Sequence, residues 1–316
     1  MKISDVEILC AVFTPMFKDG TVNHTRIPDL FNHTVGTGVN GIFLNGTTGE
    51  CMSLSLRERL QLVEDWTKAR TSSNAHQFRI VVHVGSNNLS EAARMAEHAQ
   101  EHGADGFAMV PTFYFRPGSI QDLLDQCGYV AAAAPHIPFY FYNIPGLTGV
   151  NLPMYPFLEQ AARRIPNFGG IKNSHTDLVD YQHCLHFSQG RYALYWGTDE
   201  VFMMLHAAGN RHYVGSTYNY MNPLYLKMLE AAANHESVNL LRLQEEADAI
   251  YRIILAHNNI IAGKEIMRFI GIDCGPVRRP LAALTAAISE RLYQKLTTTT
   301  LFRYTPHVHH AGGNTQ

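Results

Sequence analysis

The sequence lacks the features that mark membrane-spanning, secreted and nucleic-acid-binding proteins. No apolar run in its 316 residues approaches the roughly 18 residues of a membrane span. Asp5 and Glu7 interrupt the apolar stretch near the start, which predicts a first strand and not a signal peptide. Lys and Arg number 25 against 27 Asp and Glu, for a formal net charge of −2. This near balance argues against a nucleic-acid-binding surface, which is usually basic.

Cysteines and cofactor motifs are also scarce. The five cysteines form no CxxC pair, and an odd number at wide spacing is typical of reduced thiols in the cytoplasm. No GxGxxG follows the first apolar run, and the GTTGE segment has no lysine after its second glycine. A dinucleotide fingerprint and a P-loop are therefore absent. The sequence predicts a cytoplasmic protein that uses no metal or nucleotide cofactor.

What the sequence does contain is a series of short apolar runs. Most of them are apolar throughout, as strands buried on both faces are. Segments with helical periodicity separate them, for example the one that opens with the capping-box pattern of Ser55 and Glu58. The eight runs span residues 8–13, 41–44, 79–84, 106–110, 138–142, 168–172, 192–196 and 212–215.

Eight strands alternating with helices predict an α/β fold, the (β/α)8 or TIM barrel, with an appended C-terminal helical region. A doubly wound sheet is the alternative, but it usually has fewer strands and often carries the missing GxGxxG. Beyond residue 222 the pattern is helical only. We therefore predict a barrel over 1–222, helices packed on it as the same domain unit over 223–296, and a flexible, histidine-bearing tail over 297–316.

Lys172 is unusual because it ends an apolar run, and a lysine head group is almost never fully buried without a partner. In a barrel of this kind the active site lies at the C-terminal ends of the strands. Burial disfavours the charged amine, and a neutral amine can attack a ketone to form a Schiff base. The alternative is a lysine that reaches water at the rim or pairs with an acid.

Polar residues follow several of the other runs. The Gly46–Gly49 segment suits a carboxylate cradle, since glycines let N–H groups turn inward, although a tight turn before Ser55 is the alternative. Tyr142 is either a general acid/base or a packed aromatic residue. Asp199 and Glu200 either bind a polyhydroxylated ligand or favour a helix N-terminus.

Five motifs in this order, GTTGE, YNIPGLTG, GGIKNS, GTDE and GSTYN, resemble those of the class I pyruvate aldolase family that contains dihydrodipicolinate synthase and N-acetylneuraminate lyase. The resemblance runs from Val12 to about Leu284. Leu147 stands where the synthase branch usually has an arginine, and GTDE with GSTYN is typical of the lyase branch.

The resemblance implies reversible Schiff-base cleavage of N-acetylneuraminate to pyruvate and N-acetylmannosamine, a carbon–carbon lyase activity without a metal or cofactor. Lys172 would form the Schiff base with the C2 ketone, and Tyr142 would carry the proton of the C4 hydroxyl, with Thr47 part of the catalytic set. The implied substrate contacts are Thr47 and Thr48 for the carboxylate, Ser174 near the reacting carbons, and Gly197, Asp199, Glu200 and Ser216 for the polyol arm.

The family resemblance also implies a homotetramer in which Tyr114 reaches a neighbouring subunit's site. The expected partners are thus small molecules, a 2-keto sugar acid and pyruvate, with no nucleic acid and no membrane. One alternative function is another class I 2-keto-acid aldolase or dehydratase with the same lysine. Another is a non-catalytic sugar-acid-binding barrel, which would have no need of a nucleophile.

Overall fold

The computed structural model describes residues 5–305. Within that range eight parallel strands close into a barrel in chain order, and β1 pairs with both β2 and β8. This confirms the predicted barrel. The strands are β1 Glu7–Ala11, β2 Gly41–Leu44, β3 Arg79–His83, β4 Gly106–Met109, β5 Phe139–Asn143, β6 Phe168–Asn173, β7 Ala193–Trp196 and β8 His212–Gly215.

Each strand is followed by a helix that packs on the outside of the barrel, and further helices complete the chain. The helices are α1 Ile27–Gly36, α2 Leu56–Thr71, α3 Leu89–Glu101, α4 Ile120–Ala131, α5 Pro145–Thr148, α6 Met154–Arg164, α7 Leu178–Ser188, α8 Phe202–Ala207, α9 Tyr218–Ala233, α10 Ser237–Leu255, α11 Asn259–Phe269, α12 Ala286–Thr297 and α13 Leu301–Tyr304. Over residues 5–305, none of these helices combines the length and the apolar character that a membrane span requires.

The strands bury both faces, which explains their continuous apolar character. Side chains facing the barrel interior form a small core of their own, while a larger core fills the space between strands and helices. Because side chains alternate along a strand, Gly170, Lys172 and Ser174 share one direction, and Ile171 points into the outer core. The strand continues one residue beyond Lys172, so the lysine is the penultimate residue of β6 and not its last.

A bulge in β6 sets the register on which the site depends. Phe139 pairs with Phe168 and Tyr140 with Gly170, so Gly169 is an extra residue in the ladder. Gly170 has φ +144°, and a Cβ there would lie 1.9 Å from the carbonyl oxygen of Ala193. Only glycine fits this position. After the bulge, Tyr142 pairs directly with Lys172.

The C-terminal helices are less separate than the sequence pattern indicates. The boundary placed at residue 222 falls inside α9, which follows β8 and acts as the eighth helix of the barrel. The start of the predicted tail is packed, because Leu301 is buried and the Tyr304 hydroxyl donates to Glu246 at 2.6 Å. The rest of the tail, with its histidines, lies outside the described residues.

Candidate active site

A cavity of about 280 Å³ opens at the C-terminal ends of the strands. Side chains from β1, β2, β5, β6 and β8 contribute to it, together with the loops that follow β2, β6, β7 and β8. Nine of the ten residues singled out in the sequence line this cavity: Thr47, Thr48, Tyr142, Lys172, Ser174, Gly197, Asp199, Glu200 and Ser216.

Lys172 is buried at 5% exposure, and its amine lies at the centre of the site. Its Nζ donates to Ser174 Oγ at 3.2 Å and lies 3.5 Å from the centre of the Tyr142 ring. No carboxylate of residues 5–305 lies within ion-pair distance of it. Burial lowers the pKa of Lys172, while Tyr142 and Asp199 partly oppose the shift. The arrangement favours a larger neutral fraction of the amine, as a nucleophile requires.

Tyr142 joins the lysine to the loop after β2. Its hydroxyl lies 3.3 Å from Thr47 Oγ1, a contact in which either oxygen can donate. Its ring stacks edge-on against Phe43 and His83, with centroids 5.7 and 5.8 Å away. These contacts hold the phenol between the amine and the threonine, where it can pass a proton from one side of the cavity to the other.

Gly197 leaves the space in which the lysine and the serine meet. A Cβ at this position would lie 2.2 Å from Ser174 Oγ and 3.1 Å from Lys172 Nζ. The first distance is shorter than any real contact, so even alanine would displace the serine. Gly197 therefore contributes through its missing side chain.

Asp199 is buried, and its two carboxylate oxygens have different surroundings. Oδ2 accepts hydrogen bonds from Thr217 N at 2.9 Å and from Thr217 Oγ1 at 2.6 Å. Oδ1 has no hydrogen-bond partner among the described residues. A Cβ on residue 215 would lie 1.6 Å from Oδ1, so the glycine of the GSTYN motif makes room for the carboxylate. The free oxygen can accept a bond from a ligand in the cavity.

A closed ring of hydrogen bonds surrounds Asp199. Thr217 Oγ1 contacts Tyr225 Oη at 2.6 Å, Tyr225 contacts Tyr251, and the Tyr251 hydroxyl donates to the backbone oxygen of Asp199 at 3.0 Å. Together with the bond between Thr217 Oγ1 and Asp199 Oδ2, the ring has four hydrogen bonds. The hydroxyls of Thr217, Tyr225 and Tyr251 provide only three hydrogens for them. When Asp199 is protonated, its carboxyl supplies the fourth and Oδ2 donates to Thr217 Oγ1 in place of accepting from it.

The surroundings of Asp199 agree with this count. Burial, followed by the nearby charge of Glu200, raises the pKa of Asp199 to about 6. The carboxyl is therefore neutral in mildly acidic solution and ionised above it. In the ionised form, Oδ2 accepts from Thr217 and one of the tyrosine links lacks a hydrogen.

Three functional contributions were not predicted from the sequence. The first is a buried ion pair of Glu50 Oε1 with Lys264 Nζ, 2.6 Å apart, which ties the end of the GTTGE loop to α11. Glu50 Oε2 also accepts from Arg278 N at 2.7 Å. The only signal in the sequence is the acidic residue that closes the motif, because its basic partner lies far along the chain.

The second contribution is His83, a buried residue beside Tyr142. Its Nδ1 lies 2.9 Å from the backbone oxygen of Asn45, and its Nε2 has no hydrogen-bond partner among the described residues. Burial lowers the pKa of His83 well below its ordinary value, so the ring is neutral and adds no positive charge next to Lys172. The sequence shows it only as one more residue of an apolar strand.

The third contribution comes from the C-terminal helices. Tyr251, Ile254 and Leu255 of α10 and Asn259 and Ile260 of α11 line the cavity. The helical region after the barrel thus forms one wall of the site and is more than an appendage.

Two further residues from the sequence analysis lie at the edge of the site. Leu147, the residue that the resemblance contrasts with an arginine of the synthase branch, lines the cavity. Tyr114 is 77% exposed on the loop after β4 and does not line the cavity of its own chain. Its backbone N–H donates to Asn87 Oδ1 at 3.0 Å, which orders the loop.

Comparison with known proteins gives a consistent result. The model of the dihydrodipicolinate synthetase family matches residues 5–299. N-acetylneuraminate lyase of Rattus norvegicus is 37% identical over 293 residues, which cover 92% of this chain and 91% of the relative.

Solved structures agree with the relatives in sequence. The Proteus mirabilis N-acetylneuraminate lyase superposes with a TM-score of 0.89 at 32% identity, covering 94% of this chain and 99% of that one. A Ruminococcus gnavus sialic acid aldolase, described as a catalytic lysine mutant, gives 0.85 at 27% identity, covering 94% and 97%. The resemblance seen in the five motifs is therefore confirmed, and the chain belongs to the dihydrodipicolinate synthetase family.

Proposed function

We propose that this protein is a lyase that cleaves N-acetylneuraminate to pyruvate and N-acetylmannosamine through a Schiff base on Lys172. The observation that carries the proposal is the buried amine of Lys172, 3.5 Å from the Tyr142 ring and without a carboxylate partner in residues 5–305. A structural lysine would be paired or exposed. The relatives named above are N-acetylneuraminate lyases, and one of them has a lysine described as catalytic.

The reaction begins when the neutral Lys172 amine attacks the C2 ketone of the open-chain sugar acid. Loss of water leaves an imine, which is protonated on nitrogen. A base then takes the proton of the C4 hydroxyl, the C3–C4 bond breaks, and its electron pair enters the imine to give an enamine. N-acetylmannosamine leaves as the aldehyde. Protonation of the enamine at C3 and hydrolysis of the imine release pyruvate and the free lysine.

The roles proposed for the remaining side chains are those that the family resemblance implies, and their positions in the cavity support them. Thr47 and Thr48 hold the substrate carboxylate, and Tyr142, in contact with Thr47 Oγ1 at 3.3 Å, moves the C4 proton with the help of that carboxylate. Ser174 holds the amine in place, since it accepts from Nζ at 3.2 Å. The contacts for the polyol arm are Gly197, Asp199 with its free Oδ1, Glu200 and Ser216.

The quaternary structure and the location belong to the same proposal. We propose a cytoplasmic homotetramer in which the exposed Tyr114 contributes to the site of a neighbouring subunit. Five buried, unpaired cysteines support a reducing location. The exposed pair of Tyr114 and Phe115, with rings 5.0 Å apart, supports an aromatic contact between subunits.

A trapping experiment tests the mechanism. The protein is incubated with pyruvate, reduced with borohydride, weighed intact and mapped by peptide. We expect one reduced pyruvate per chain at Lys172, and no adduct in Lys172→Met. The absence of an adduct in the wild type would contradict the Schiff base and favour a sugar-acid-binding barrel.

The substrate is tested separately by turnover. We expect release of pyruvate from N-acetylneuraminate, and no reaction of pyruvate with the second substrate of the synthase branch, because Leu147 stands where that branch usually has an arginine. Trapping of pyruvate without cleavage of N-acetylneuraminate would favour another 2-keto-acid aldolase or dehydratase of the family.

A further inference from the structure

Three side chains that can bind a metal ion converge on the outer surface of the barrel, away from the cavity. Glu64 comes from the middle of α2, His98 from the last turn of α3, and His102 is the residue that caps the C-terminal end of α3. His98 Nε2 lies 3.2 Å and His102 Nε2 4.0 Å from Glu64 Oε1, and the three ligand atoms lie within 4.8 Å of one another. Metal–nitrogen bonds of about 2.0–2.1 Å place tetrahedral ligands roughly 3.3 Å apart. Small side-chain rotations bring these atoms to that spacing.

Hydrogen bonds already hold two of the three groups in a ligating orientation. His102 Nδ1 lies 2.9 Å from the backbone oxygen of His98, so the Nδ1–H donates there and Nε2 keeps its lone pair. Metal-bound histidines are usually held in this way. Gln61 Nε2 donates to Glu64 Oε2 at 3.2 Å, which leaves Oε1 directed at the imidazoles. The two histidine rings stack with centroids 3.9 Å apart.

The electrostatic surroundings favour a cation at this place. The backbone carbonyls at the C-terminal end of α3 carry partial negative charge, and Glu101 adds a full one nearby. His24, which lies near α2, is already paired with Asp65 at 2.5 Å.

We propose that Glu64, His98 and His102 form a site for one divalent transition-metal ion of the Zn²⁺ type. Two imidazoles and a carboxylate are ligands that such ions accept, and the remaining coordination positions face solvent. The ion links α2 to α3. His98 Nδ1 has no hydrogen-bond partner in the described chain. Because no such bond orients the His98 ring, we expect the affinity for the ion to be roughly 10–100-fold lower than that of a site in which both histidines are held by hydrogen bonds.

The site has no part in the proposed cleavage. The end of α3 precedes the first residue of β4, so it lies at the end of the barrel opposite the cavity. The ion therefore stabilises the outer layer of helices and leaves turnover unchanged. The sequence shows the two histidines four residues apart at the end of a helical segment. It does not indicate the third ligand, because the glutamate comes from another helix.

The full-length chain is tested with Zn²⁺ by isothermal titration calorimetry. The histidines at the C-terminus could bind Zn²⁺ on their own, so all titrations use a background in which His307, His309 and His310 are each changed to Gln. We expect one Zn²⁺ per chain and a rise in melting temperature with added Zn²⁺. His98→Gln and His102→Gln each abolish both effects, and Gln61→Ala weakens binding by about tenfold.

His186→Gln, on the exposed surface of α7, is the matched control and leaves the titration unchanged. The proposal is overturned if Zn²⁺ binding disappears with the C-terminal histidines. It is equally overturned if binding survives His102→Gln, or if His186→Gln reduces it as much as His98→Gln does. Melting curves of the metal-free variants establish that each of them is folded. Trapping of pyruvate by the same variants stays normal, which separates this test from that of the lyase function.

Discussion

Two basic residues at opposite ends of the barrel have different partners. At the end where the strands begin, the Arg79 guanidinium contacts a carboxylate and two tyrosine hydroxyls. At the opposite end, the Lys172 amine has no carboxylate partner among residues 5–305. Arg79 Nη1 lies 2.5 Å from Glu7 Oε1 and 3.1 Å from Tyr195 Oη, and its Nη2 donates to Tyr140 at 3.3 Å. Lys172 contacts one serine hydroxyl and the faces of the Tyr142 and Phe43 rings.

The pKa shifts of the two basic groups go in opposite directions. Burial disfavours the charge of Arg79, but Tyr195 and Glu7 together more than offset it, and the pKa of Arg79 is raised. For Lys172 burial prevails, and its pKa is lowered. The same barrel thus holds one basic group whose charged form is favoured and one whose neutral form is favoured, and the difference lies in the partners that its strands supply.

The largest expected effect is that of Lys172→Met. We expect activity to fall on the order of 10⁴-fold or more, because the nucleophile is lost. Stability should rise by about 1 kcal/mol, because an unpaired buried amine is replaced by an apolar side chain of similar length. Turnover assays and urea unfolding measure the two quantities. A clear loss of stability would show that Lys172, like Arg79, stabilises the folded state.

Tyr142→Phe and Tyr140→Phe compare the two ends through the same chemical change. Tyr142→Phe should lower kcat roughly 10²–10⁴-fold, because the hydroxyl in contact with Thr47 is removed. Tyr140→Phe should leave kcat unchanged and lower stability by about 1 kcal/mol, because Arg79 loses an acceptor. Equal effects of the two variants on kcat would contradict the proposal that only the end of the barrel with Tyr142 takes part in catalysis.

Arg79→Met should destabilise the protein by about 3 kcal/mol, because it leaves the carboxylate of Glu7 without its charged partner. Glu7 keeps the hydroxyl of Tyr195 at 2.6 Å, which limits the loss. Chemical unfolding measures the change, and kcat of the folded variant serves as the control, since it should match the wild type. Unchanged stability would mean that this network contributes nothing.

A smaller effect than that of Arg79→Met concerns Asp199 and pH. The folded state raises its pKa from 3.8 to about 6, so between these values the folded protein binds more protons than the unfolded chain. The contribution of Asp199 to stability is therefore present below pH 4 and falls by about 2–3 kcal/mol as the pH rises through 6. Asp199→Asn should be more stable than the wild type at pH 7. Urea unfolding from pH 4 to 7.5 should show a difference between the two proteins that grows with pH, and a constant difference would contradict it.

The sequence by itself determined the barrel, because eight apolar runs separated by amphipathic helices leave few other ways to bury both faces of the strands. It also indicated the lysine, the tyrosine and the acidic pair, since each lies within a few residues of the C-terminal end of a strand, which faces the site. The position of a residue relative to the end of a strand is a local feature, so it can be identified from the sequence alone.

Only the tertiary structure decided which partners these groups have and how they pair. The bulge at Gly169 pairs Tyr142 with Lys172, and Glu50 accepts from Arg278 across 228 residues of sequence. Tyr251 reaches the ring around Asp199 from a helix that the sequence shows only as an appendage. Whether a buried group is neutralised depends on partners that the fold brings from distant segments, and this is why the pKa of Lys172 falls while that of Arg79 rises.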